Sequence, residues 1–182
     1  MPGESQSSGS WYWLQVLAIG RRPKWTLIRL AVLVVSSVVL FKFVLLPIRV
    51  TGPSMEPTFH DRAVNFINRL AYVNRQPQRG DVVGIRFSNN ADGTPRALLL
   101  KRLVGLPGET ISFSGGHVCV NGERQDEPYL KWPSQWVLPE RTLGSQEYYF
   151  VGDNRTMPPD QHEHGIAYRS QIMGRILFNG SH

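Results

Sequence analysis

The sequence predicts a mostly β protein, with one N-terminal transmembrane helix followed by a coiled antiparallel β-sheet or open barrel. Three observations lead there. A long apolar run rich in Leu and Val lies between residues 25 and 47, with Arg21, Arg22, Lys24 and Arg29 crowding its start. Beyond residue 48 the apolar residues recur in short segments separated by Gly and Pro clusters, a strand-and-turn pattern. The 182 residues suffice for one modest domain and an anchor, and are too few for two sizeable domains.

Residues 1–10 are small and polar and are expected to be disordered, and Trp11 to Ile19 reads as a short amphipathic or interfacial stretch. The 23 residues from Trp25 to Pro47 would span roughly 34 Å as a helix. Their uncharged stretch, Leu30 to Phe41, is only 12 residues, so Arg29 and Lys42 must snorkel toward opposite interfaces. Basic residues are denser before the helix than after it. That places residues 1–24 in the cytoplasm, 25–47 across the inner or plasma membrane, and 48–182 on the extracytoplasmic face. No Ala-x-Ala site follows the run at Leu45-Leu46-Pro47-Ile48-Arg49, so the segment is expected to be an uncleaved anchor.

In the remainder, Val64–Asn68 alternates imperfectly and is followed by a turn at residues 76–81. Residues 82–87 and 97–104 read as strands flanking a polar loop from Ser88 to Pro95. Residues 109–113 and 117–122 form a hairpin about a Gly-rich turn. Pro128, Pro133 and Pro139 mark residues 126–140 as an irregular covering loop. Tyr148–Val151 and Ser170–Phe178 supply further strands.

Composition excludes several classes. The net charge is +6, from 20 basic and 14 acidic residues, and part of the excess belongs to the start of the apolar run. No Lys/Arg block with interleaved aromatics follows, so nucleic acid is not an expected partner. Cys119 is the single cysteine, which rules out an intrachain disulfide and a Cys-based zinc site; within Val118-Cys119-Val120 it reads as a small buried hydrophobe. There is no P-loop or dinucleotide fingerprint, and no cofactor is expected.

The chemistry centres on Ser54 and Lys101. Ser54 lies in a Gly/Pro-constrained turn, Thr51-Gly52-Pro53-Ser54-Met55-Glu56-Pro57-Thr58, just beyond the apolar run. A serine hydroxyl is a weak nucleophile and needs a nearby base. A lysine serves only when neutral, and Leu98, Leu99, Leu100, Leu103 and Val104 give Lys101 the apolar surroundings that disfavour its ammonium form. Taken singly, Ser54 reads more readily as a turn serine and Lys101 as an edge-strand lysine; it is their joint appearance with the flanking motifs that points to a dyad.

The motifs around them closely resemble type I signal peptidases, the membrane-bound serine–lysine endopeptidases of the S26 family. The matching pieces are Gly52–Thr58, Arg79-Gly80-Asp81-Val82-Val83, Lys101–Glu109, Val120-Asn121-Gly122 with Glu127-Pro128-Tyr129, and Val151-Gly152-Asp153-Asn154-Arg155. They follow the family order after an anchor and cover roughly residues 26–178. The resemblance implies the signal peptidase fold and removal of signal peptides from exported preproteins through an acyl-enzyme. It implies Ser54 as nucleophile, Lys101 as general base and then acid, and the Ser54 backbone N–H as oxyanion donor. Many family members add a serine hydroxyl two positions before the nucleophile; here that position is Gly52, as in some family branches.

By the same resemblance, Val50, Met55, Phe59, Leu99 and Leu100 should line pockets for small substrate side chains, with the peptide extended beside strands. Asp153, Arg155, Asp160 and His162 should support the site. Two positions depart from the family: Pro158 stands where a lysine-orienting serine is usual, and His162 where an arginine pairs with the aspartate, here Asp160. A protonated His162 paired with Asp160 would give pH sensitivity around 6–7. Asp160, His162 and His164 alternate on one face of an extended chain, yet they lack the helical zinc motif, and no metal is expected.

The partners expected are signal-peptide-bearing preproteins and the bilayer, with the oligomeric state left open. Two alternatives stand beside this reading. One is a processing peptidase dedicated to a single secretion or conjugation cargo. The other is a catalytically weak, membrane-anchored peptide-binding module.

Overall fold

A computed structural model of the chain describes residues 23–89, 95–132 and 134–177. The expectations for residues 1–10 and 11–19, for the tip of the 88–95 loop, for Pro133 and for Phe178 lie outside the described residues. Helix α1 (Pro23–Val39) opens on a proline, whose missing N–H costs nothing at a first helical position, and continues into a π-helical turn, Leu40–Val44. Lys24–Val44 is 21 residues long and apolar, and most of its large hydrophobic side chains are exposed. By length and composition it can cross a membrane. It ends three residues short of the expected 25–47, because Leu45–Pro47 enter strand β1.

Eleven strands follow among the described residues: β1 (Leu45–Arg49), β2 (Val64–Asn68), β3 (Val82–Asn89), β4 (Pro95–Gly105), β5 (Thr110–Ser114), β6 (His117–Val120), β7 (Glu123–Arg124), β8 (Leu138–Thr142), β9 (Glu147–Val151), β10 (Gly165–Tyr168) and β11 (Ile172–Ile176). They form a curled, antiparallel seven-stranded sheet in the order β1-β2-β11-β3-β4-β9-β10 and a four-stranded sheet in the order β7-β6-β5-β8. The expected fold class is the observed one. The long β3–β4 ribbon sets Val83 opposite Lys101 and Val82 opposite Arg102, which fixes both basic residues near the middle of the large sheet.

Three buried apolar clusters hold the domain. Val104, Tyr149 and Val151 of the large sheet pack on Ile111, Phe113, Val118 and Val120 of the small one. Val83, Ile85, Leu103, Phe150 and Ile172 form a second cluster within the large sheet. The third joins Val50, Met55 and Phe59 to Ile67, Val82 and Ile176, and so anchors the segment after β1 onto the sheet. Each such side chain contributes about 1.5–3 kcal/mol of burial free energy. The 126–140 loop is irregular as expected up to Val137, after which β8 pairs with β5 despite Pro139.

Candidate active site

The third cluster positions the serine. Met55 is 1% exposed and pins the 3₁₀ turn Pro53–Met55. Gly52 enters that turn at φ +86°, a left-handed conformation in which an L side chain is strained. Its N–H donates to Asp61 Oδ1 at 2.9 Å, and the Phe59 N–H donates to the Met55 carbonyl at 2.9 Å. A second clamp comes from the loop after β9. The Asn154 N–H donates to the Ser54 carbonyl at 3.0 Å, and Asn154 Nδ2 donates to the Pro53 carbonyl at 3.1 Å. Gly152 lies so close beneath the turn that a Cβ there would collide with the Ser54 carbonyl oxygen.

Lys101, 1% exposed, reaches from β4 to place Nζ 2.8 Å from Ser54 Oγ. Burial pulls its pKa below the ordinary lysine value, against the opposing pull of the carboxylates of Glu163 and Asp153. A neutral amine at that distance can accept the hydroxyl proton. The Ser54 N–H belongs to the first turn of the 3₁₀ helix, where backbone donors have no partner within the helix. Gly52 offers no side-chain donor.

The supporting residues fall into two buried ion pairs. Arg102 holds Asp153 bidentately, at 2.8 Å (Nε–Oδ1) and 2.6 Å (Nη2–Oδ2), donates to the Gly80 carbonyl and stacks 3.9 Å from the Tyr129 ring centroid. The Thr58 hydroxyl donates to Asp153 Oδ2, which ties the segment after Ser54 to the same pair. Arg155 is bound to Glu127 through both Nη atoms and donates to the Gly116 carbonyl, bridging the β9 loop to the small sheet.

His162 corrects an expectation. Its ring is 4% exposed, accepts the Gly152 N–H at Nε2 (2.9 Å) and meets Trp136 edge-on at 5.0 Å. Its buried Nδ1 makes no regular hydrogen bond among the described residues. Burial, then the charge of Lys101, lowers its pKa to about 3, so the ring stays neutral where the sequence suggested titration around 6–7. Asp160 remains exposed on the turn Pro159–Gln161 and pairs with neither His162 nor Arg155 among the described residues. His164 turns instead to the Tyr149 hydroxyl at 2.8 Å.

A cleft of about 190 Å³ opens beside Ser54 and Lys101. Val50, Met55, Leu99 and Leu100 line it. Phe59 does not line it; at 2% exposure it packs in the core with Val50 and Met55. Glu163 also lines the cleft and was missed, since residue spacing gave no sign that this loop folds over Lys101. Arg102 and Asn154 lay within the quoted motifs, but their partners Asp153 and Pro53 are 51 and 101 residues away along the chain.

A solved crystal structure of a signal peptidase I from Enterococcus faecalis V583 is 23% identical, covers 56% of this chain and 97% of its own, and superposes with a TM-score of 0.42. Signal peptidase IB of Staphylococcus aureus is 27% identical over 175 residues, covering 84% of this chain and 86% of its own length. A probable signal peptidase I-2 from Synechocystis is 31% identical over 134 residues, 70% of this chain and 59% of its own. The family model described as signal peptidase, peptidase S26, matches residues 23–179. On that match over most of its length, the chain is a member of the signal peptidase family, peptidase S26.

Proposed function

We propose that this family member is a membrane-anchored serine endopeptidase that removes signal peptides from exported preproteins, with Ser54 as nucleophile and Lys101 as its base. The observation that carries the reading is an amine 1% exposed and 2.8 Å from a serine oxygen held in a doubly clamped turn. An extended preprotein segment lies along the cleft, where Val50, Met55, Leu99 and Leu100 leave room for small side chains before the cut. Lys101 Nζ takes the Ser54 proton as Oγ attacks the scissile carbonyl carbon, and the Ser54 N–H stabilises the oxyanion. The resulting ammonium protonates the leaving amine as the C–N bond breaks, leaving the signal peptide esterified to Ser54. Lys101, neutral again, takes a proton from water as that water attacks the ester, then returns it to Ser54 Oγ.

Lys24–Val44 anchors the chain, with residues 1–24 in the cytoplasm and the β domain on the extracytoplasmic face, as the basic residues before the helix favour. A preprotein carrying Ala-x-Ala before the cut is expected to be cleaved by the wild-type chain in detergent micelles. Ser54→Ala and Lys101→Ala are each expected to abolish that cleavage; product formed by either variant at a rate near wild type would sink the dyad.

A further inference from the structure

Lys101 has one charged neighbour that the family pattern did not foreshadow. The chain after the Pro159–Gln161 turn brings Glu163 to the cleft wall that also holds Ser54 and Lys101. Glu163 Oε2 lies 3.7 Å from Lys101 Nζ, with the carboxylate side chain 64% exposed. The other titratable groups facing the amine are already committed. Asp153 is bound to Arg102 and Thr58, His162 is buried and neutral beside Trp136, and His164 is bonded to Tyr149. Arg49 lines the same cleft but carries the same charge as an ammonium and cannot steady one. Pro158, at the position where the resemblance implies a lysine-orienting serine, has no hydroxyl and is exposed.

We propose that Glu163 is a charge partner of Lys101, its carboxylate lying beside the amine on the cleft wall and favouring the charged form. This rests on the Ser54–Lys101 reading. A carboxylate beside an amine stabilises the ammonium, opposing the burial that makes the lysine a base. The chain therefore loses activity on acidification sooner than burial alone would dictate. Because Glu163 is exposed, salt screens the effect.

The test is kcat/KM against pH for preprotein cleavage by the full chain in micelles, at low salt and at roughly 0.5 M salt. Glu163→Gln is expected to raise kcat/KM on the acid limb by about two- to fivefold at low salt, the range of an exposed ion pair, and to meet wild type on the alkaline plateau. Salt should move the wild-type limb toward the variant and move the variant less, and Glu163→Asp should fall between them. Superimposed low-salt profiles, or a limb displaced toward higher pH, overturn the proposal whatever happens to the plateau. Ser54→Ala measured alongside separates the two claims. If it cleaves, the dyad fails; if it is inert while Glu163→Gln matches wild type, only the role of Glu163 fails.

Discussion

A lysine and a histidine a few ångströms from one serine are both driven toward the neutral form, and for each the first cause is loss of water. For Lys101 this creates a base. For His162 it creates a fixed acceptor for the Gly152 N–H and removes a charge switch. The histidine has a consequence for stability. Its pKa is about 6.5 when unfolded and about 3 when folded, so between those values the unfolded chain binds more protons than the folded one. The stability contributed by the neutral ring is fully present above about 6.5 and is lost as pH falls toward 3. The unfolding midpoint of wild type should therefore drop more steeply over that interval than that of His162→Gln, measured by thermal unfolding in detergent; parallel curves would show that the ring does not titrate this way. Ser54 and Lys101 could be singled out in the sequence only together with their flanking motifs, because a Gly/Pro turn and a Leu-rich strand fit a turn serine and an edge-strand lysine as well. The charge state of His162 was not legible there, because it depends on burial, with Trp136 packed on the ring, and on the charge of Lys101, both brought close only by the fold.

Among the elements, two loops meet back to back at the nucleophile: the 3₁₀ turn after β1 and the loop after β9. Their contact is main chain against main chain, with Asn154 spanning it and Gly152 leaving no space for a side chain. Gly152→Ala should push the Ser54 turn away from Lys101 and lower kcat about 10²-fold with the fold retained, since a displacement of about 1 Å at a reacting group has that effect. Wild-type kcat in a folded Gly152→Ala variant would mean that the turn tolerates the shift. Strands β2 to β6, β9 and β11 were readable from alternation and glycine turns. Four were not: β1 continues the apolar run, β7 has two residues, β8 contains Pro139 without alternation, and β10 has four residues beside a loop. Their pairing is supplied by neighbours, β2 for β1 and β9 for β10. Tertiary partners override weak local signals in such segments.

At the scale of the whole molecule, the chain combines an apolar helix with largely exposed side chains and a β domain carrying its own three cores. Membrane integration is expected to depend on this helix. Wild type is expected to stay in the membrane pellet after alkaline carbonate washing, and Leu33→Asp with Val35→Asp to release much of it, since each aspartate at a helix centre costs about 3 kcal/mol on insertion scales. Full retention of the double variant would point to a second attachment. The central claim concerns the covalent step at Ser54, and cleavage in the presence of hydroxylamine addresses it directly. An ester intermediate partitions between water and hydroxylamine, so wild type should release signal peptide partly as the hydroxamate, detected by mass spectrometry, and Ser54→Ala and Lys101→Ala should release neither product. Free acid alone at saturating hydroxylamine, together with continued cleavage by Ser54→Ala, would contradict the account.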